Sequence, residues 1–344
     1  MREVVEELFA GDEAWIVGGA VRDHALDRPL IDLDVALRDP KGAARKFAKH
    51  VDGAPFLLSE RHGAWRVVLS DGLTVDFTPL LGSIEEDLAK RDFAINAIAE
   101  RAGSDETIDP YNGYGDLAAG RIVAINDAVF RDDPLRLLRA VRLEDELEGF
   151  RIVPATEELI RRDAALVVQP AGERILAELR RLSAGGYRRL DALGLLEPLG
   201  GRIDDRLDRW DSADFRLAAV FGDRLRRLPV PNELRRFASA LLRAEAPKED
   251  ARSIYRFRRA TEPWALEALA FIGASHLAPA IEEARAADPA EPLLRGDELD
   301  LPPGPEIGRL LAEIEEERAA GTIATKEEAL AYARRHAGAV REDS

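Results

Sequence analysis

The sequence predicts an α+β protein: a small mixed α/β domain over residues 1–126, then an all-helical remainder divided into 127–200 and 201–344. Three observations predict it. Apolar and polar residues alternate with the strand period in short runs such as residues 31–37, IDLDVAL, and such runs are confined to the first part. Beyond residue 126 strand signals nearly vanish, and Leu, Ala and Ile recur at three and four. A chain of 344 residues is also long enough to form two or three domains.

Residues 1–10 form an amphipathic helix that leads to a strand at Trp15–Val17, and Gly18 and Gly19 end that strand before a short helix opens at Ala20. In the next strand Asp32 and Asp34 share one face, while Ile31, Leu33 and Val35 point into an apolar layer. DPKGAARKFAKHVDG is a Pro-started helix closed by Gly53. RVVLS and LTVDFTPL are strands joined by a hairpin turn at Asp71 and Gly72, with Asp76 alternating between Val75 and Phe77. SIEEDL has the acidic start of a helix, and Arg91, Asp92 and Asn96 follow. DPYNGYGDLAAGRIVAI reads as a turn and short hairpin at the domain edge, and WALEALAFIGASHLAPAI as a core helix rather than a membrane span. Two helices close the chain.

Paired carboxylates repel, and a fold tolerates them mainly when a cation lies between them; adjacent oxygen ligands suit Mg²⁺. A half-solvated strand is the plainer alternative for Asp32 and Asp34, as a tight turn is for the two glycines. Together with Arg22, however, Gly18 and Gly19 offer a phosphate cradle beside a metal clamp. Asp76 is a candidate third carboxylate. Asp133 and Arg136, three apart on an expected helix, share a face, where a surface ion pair is the ordinary alternative.

The chain has no cysteine, which excludes disulfides and thiolate metal sites. Its acidic first residues argue against a signal peptide, so the expected location is the cytoplasm, with no membrane partner. The net charge of −16 argues against a generic nucleic-acid coat, although arginine clusters such as DRLRRL and NELRRF can make local basic faces. Solvated helix faces with acid–base pairs are the competing explanation.

GGAVRD, IDLDVA, EEDLAKRDFAINAIA, RDDPLRLLRAVR, ERILAEL and GPEIGRLL, in that order, closely resemble the class II tRNA nucleotidyltransferase and bacterial poly(A) polymerase family of the polymerase-beta superfamily. The resemblance implies a head bearing the catalytic carboxylates, followed by neck, body and tail helices that hold tRNA. It implies Mg²⁺ on Asp32 and Asp34, triphosphate at Gly18, Gly19 and Arg22, and ribose at Arg91, Asp92 and Asn96. It assigns Asp133 and Arg136 as an amino-acid template for the base, with Arg139 facing the nucleotide. Asp accepts from an exocyclic amine and Arg donates to the adjacent ring nitrogen, so this pair favours C and A over U and G. Lys90 and Ala94 depart mildly from the family pattern, and Leu143-Glu144-Asp145 predicts a bend or extension of the neck helix. Only LLGSI separates the VDFTP strand from EEDLAKRDF, where many CCA-adding relatives carry a longer flexible loop; this resembles the CC-adding subgroup. The expected function is therefore CC addition to tRNA from CTP. Complete CCA addition with ATP, A addition, poly(A) tailing and a catalytically silent RNA-binding role are the alternatives.

Overall fold

The computed structural model describes residues 1–60 and 63–337, and the chain divides into two compact units, 1–200 and 201–344. The boundary expected at residue 126 falls inside the first unit. This unit opens with α1 (Arg2–Phe9), β1 (Ala14–Val17), α2 (Gly19–Ala25), β2 (Asp32–Leu37), α3 (Pro40–Val51), β3 (Ala54–Ser59), β4 (Ala64–Val68) and β5 (Thr74–Pro79). It continues through α4 (Ile84–Leu88), β6 (Ala99–Arg101), β7 (Thr107–Ile108), α5 (Gly113–Ala118), β8 (Arg121–Ile122), α6 (Val129–Asp132) and α7 (Arg136–Glu146). β9 (Arg151–Ile152), α8 (Pro154–Asp163), α9 (Gly172–Arg180) and α10 (Ala184–Ala192) complete it.

Seven strands form one sheet in the order β3-β4-β5-β2-β1-β6-β7, with β2 parallel to β5 and the other neighbours antiparallel. The register sorts the side chains. Ile16 lies opposite Val35, and Leu33 and Val35 lie opposite Val75 and Phe77. That apolar face is covered by α1 and α3, whose Phe9 and Phe47 rings stand 5.8 and 5.7 Å from Phe77. Trp15, Val17 and Ala36 point to the other face and pack with Leu80, Ile84 and Leu88. By strand alternation Asp34 shares this second face, so its carboxylate stands beside a packed core, while Asp32 at the start of the strand is exposed.

Four local expectations are corrected. Ile31 is 65% exposed, because β2 begins only at Asp32. Asp52, not Gly53, takes the left-handed position that closes α3, at φ 51°. The segment after Asp109 is no hairpin: the Asp109 carboxylate accepts the N–H groups of Gly113 and Tyr114 at 2.6 and 3.1 Å, which starts α5, and β8 then pairs in parallel with β9. Finally, WALEALAFIGASHLAPAI splits into α14 (Ala265–Ile272) and α15 (Ala278–Ala286), because Gly273 turns left-handed at φ 77°.

The second unit is helical: α11 (Ala213–Phe221), α12 (Asn232–Arg243), α13 (Ala251–Thr261), then α14, α15, α16 (Pro305–Ala319) and α17 (Lys326–His336). A capping box at Thr325 and Glu328 starts α17, and Leu310, Ile314, Ala329 and Ala333 bury its contact with α16. No helix among the described residues is long and apolar enough to cross a membrane.

Candidate active site

Asp32 and Asp34 project from β2 into a cavity of 460 Å³ in the first unit. Parallel pairing sets Thr74 opposite Asp32 and Asp76 opposite Asp34. Thr74 Oγ1 donates to Asp32, whereas the Asp34 carboxylate accepts no side-chain hydrogen bond among the described residues. Burial pushes Asp34 above its ordinary value; Arg91 and Arg66 oppose the shift, and the carboxylates of Asp76 and Asp32 add to it. A half-buried, under-neutralised carboxylate beside a second one is the donor set that a divalent cation would satisfy.

The expected third carboxylate stands differently. Arg66 on β4 lies opposite Asp76 and donates to both its oxygens at 2.6 and 2.7 Å, which neutralises it across the strands. Among the described residues no three acidic or histidine side chains converge as a metal cluster. Asp32 and Asp34 line the cavity, and Asp76 stands beside Asp34 on the neighbouring strand, paired with Arg66.

The glycine turn has a steric reason. Gly18 sits at φ 72°, and a Cβ there would lie 2.6 Å from Nη1 of Arg91. Any side chain would push this guanidinium aside. Arg91 is steadied by Asp87 at 3.0 Å. Arg22 on α2 is gripped at both ends: Asp23 accepts from Nε and Nη2 at 2.9 and 2.8 Å, and Asn96 Oδ1 accepts from Nη1 at 2.8 Å. Asn96 in turn donates to buried Asp92 at 2.9 Å, and Asp92 Oδ2 accepts from Arg139 Nε at 2.7 Å. Burial alone would raise the pKa of Asp92, but the Arg139 charge and the hydrogen bonds from Asn96, Arg139 and the Phe93 N–H hold it below the usual value. The structure thus joins Arg22, Asn96, Asp92 and Arg139 into one network along the cavity wall.

Asp133 and Arg136 do not share a helix face. Asp133 is extended, at φ −144° and ψ 101°, in the break between α6 and α7. The cause is Pro134, whose ring excludes helical geometry from the residue before it. Asp133 Oδ1 accepts the Leu135 N–H at 3.1 Å and Oδ2 accepts from Arg174 at 3.0 Å, while Arg136 donates to the carbonyls of Val129 and Lys90. Both side chains nevertheless line the same cavity as Asp32 and Asp34.

Sequence reasoning missed Arg28, Arg142, Arg174 and Arg181 on this wall. ERILAEL carried Arg174 and RDDPLRLLRAVR carried Arg142 in plain view; Arg28 and Arg181 needed the fold. Arg142 stands 3.0 Å from Glu178, both largely buried, and burial lowers its pKa. Of the bend or extension expected at Leu143-Glu144-Asp145, the bend is not seen: α7 runs unbroken through these residues to Glu146, with Glu144 accepting from Arg189 and Asp145 from Ser183.

A sheet carrying two carboxylates beside an arginine-lined cavity defines a nucleotidyltransferase head, and the model of the Poly A polymerase head domain matches residues 14–80 and 70–123. The chain belongs to the class II tRNA nucleotidyltransferase family. It is 32% identical to the A-adding tRNA nucleotidyltransferase of Deinococcus radiodurans, over 94% of this chain and 95% of that protein. It is 46% identical to the CC-adding tRNA nucleotidyltransferase of Geobacter sulfurreducens over 176 residues, which cover 50% of this chain and 40% of that protein. The CCA-adding enzyme of Bacillus stearothermophilus, solved with CTP, is 25% identical with a TM-score of 0.77, covering 97% of this chain and 95% of that one.

Proposed function

We propose that the protein adds CC to the 3′ end of tRNA from CTP, in the cytoplasm and with Mg²⁺ held by Asp32 and Asp34. The observation that carries the CC assignment is the connection between β5 and α4. Only residues 80–83 join Pro79 to Ile84; Leu80 is 2% exposed, and Ser83 caps α4 by accepting the Glu86 N–H. A connection this short and this anchored lacks the long flexible loop implied for CCA-adding relatives.

In this reading the head is residues 1–126, the neck 127–200, and the body and tail 201–344. Gly18, Gly19 and Arg22 border the triphosphate, and Arg91, Asp92 and Asn96 the ribose. Asp133 and Arg136 meet the base: each carboxylate oxygen keeps a second lone pair, and Nε of Arg136 has no acceptor among the described residues. Arg139 fixes Asp92 at the nucleotide's edge. When bound, the metal lowers the pKa of the attacking hydroxyl and offsets charge on the leaving pyrophosphate. The protein's own contribution is orientation and fixed charge, and no protein nucleophile is needed.

A addition is the second reading: the chain is similar end to end to an A-adding enzyme at 32% identity and to a CC-adding one at 30%, so overall similarity does not separate the two. The two separate when tRNAs ending before C74 or after CC are incubated with Mg²⁺ and single labelled nucleotides. CMP enters the first RNA, and AMP does not enter the second. AMP addition to the CC-ended tRNA overturns the CC assignment.

A further inference from the structure

We infer that Arg66 is a positioning residue that keeps Asp76 out of the metal's ligand set, so that Asp32 and Asp34 are the sheet carboxylates that receive the divalent cation. This rests on the proposal that Asp32 and Asp34 hold Mg²⁺, and it assigns the ligand count of that same site. Register puts the groups in one row. Asp34 on β2 lies opposite Asp76 on β5, and Asp76 lies opposite Arg66 on β4. Neighbouring strands run about 4.8 Å apart, whereas two residues along one strand span about 6.6 Å. Along the backbone Asp76 is therefore closer to Asp34 than Asp32 is. Position alone would make Asp76 the partner of Asp34 in holding a cation.

Hydrogen bonding decides otherwise. Asp34 accepts no side-chain hydrogen bond among the described residues, and Asp32 accepts the Thr74 hydroxyl, a neutral donor. Arg66 instead gives Asp76 a full positive charge and a two-pronged grip, Nε at 2.6 Å on one oxygen and Nη2 at 2.7 Å on the other. Each oxygen keeps a lone pair, but a cation placed there would stand beside a guanidinium of like charge. The pair is also sheltered, with the Asp76 side chain 13% exposed. Asp32 and Asp34 line the 460 Å³ cavity, whereas the described residues that line it include neither Asp76 nor Arg66. Two carboxylates leave the other ligand positions of Mg²⁺ to water and substrate phosphates; a third would hold the ion without the nucleotide.

The test measures binding of Mn²⁺, a paramagnetic stand-in for Mg²⁺, to the full chain without nucleotide or RNA. Electron paramagnetic resonance reads the free ion, and water-proton relaxation reads the waters left on the bound one. R66Q frees Asp76 and lowers the Mn²⁺ dissociation constant about tenfold, the scale of gaining one carboxylate and losing one nearby positive charge. Relaxation by the bound ion also falls in R66Q, because a carboxylate replaces a coordinated water. R66Q/D76N exchanges the ion pair for two amides of similar reach without changing net charge, and it binds Mn²⁺ within about threefold of wild type.

A loss of about tenfold or more in R66Q/D76N overturns the inference, because Asp76 is then a ligand in the wild-type chain. So does R66Q that binds no tighter, or that binds tighter with relaxation unchanged, which is the signature of charge removal alone. Asp34→Asn tests the underlying reading and should weaken binding about tenfold or more. If it binds as wild type does, the assignment of the metal to Asp32 and Asp34 falls. If it weakens binding and R66Q/D76N weakens it equally, that assignment stands and the role of Arg66 alone is overturned.

Discussion

The cavity of the first unit and residues 222–243 of the second are both rich in arginine, yet their arginines behave differently. Arg22, Arg91 and Arg139 are each held by a carboxylate, whereas Arg235 and Arg243 are held by none among the described residues. On the function proposed for this cavity, nucleotidyl transfer needs accurately placed charge, and carboxylate partners of this kind hold arginines in place for it.

Breaking the fixed side should have the larger effects. Asp32→Ala should lower single-turnover CMP transfer by about 10³-fold or more, the scale of losing a main electrostatic element of a phosphoryl-transfer site. Asp92→Ala should destabilise the first unit by about 3 kcal/mol in urea unfolding, because Arg139 and Asn96 lose their common acceptor. That value sits at the low end for buried pairs, since the Arg139 side chain is 36% exposed. Arg136→Ala should narrow the preference for CTP over UTP by roughly tenfold, read as a ratio of kcat/KM, the loss of one base-directed donor.

The same pair has a pH signature. Asp92 has a folded pKa below its unfolded value, so its stabilisation is present above the unfolded pKa, about 3.9, and is lost as pH falls through the folded one. Acid unfolding should therefore shift to higher pH in Asp92→Asn, which cannot make the charged pair.

Much of this was legible in sequence because it depends on local period and turn chemistry. The face shared by Asp32 and Asp34, the hairpin at Asp71 and Gly72, and the closing helices follow from spacing alone. The partner of Asp76 did not, because Arg66 meets it only through strand register, which one sequence does not specify. The break at Asp133 is legible at Pro134, which forbids the helix that the three-residue spacing invites. β3 was missed since its six residues, APFLLS, are apolar without alternation, and only pairing at a sheet edge distinguishes such a run.

The most direct test of the division is one variant measured in two ways. Asp34→Asn keeps the side chain's size and removes its charge at the centre of the sheet face. CMP transfer should be lost while the tRNA dissociation constant and its salt slope remain those of wild type. Transfer at the wild-type rate would contradict it by placing the chemistry elsewhere, and loss of tRNA binding together with transfer would show that the two regions do not divide the work.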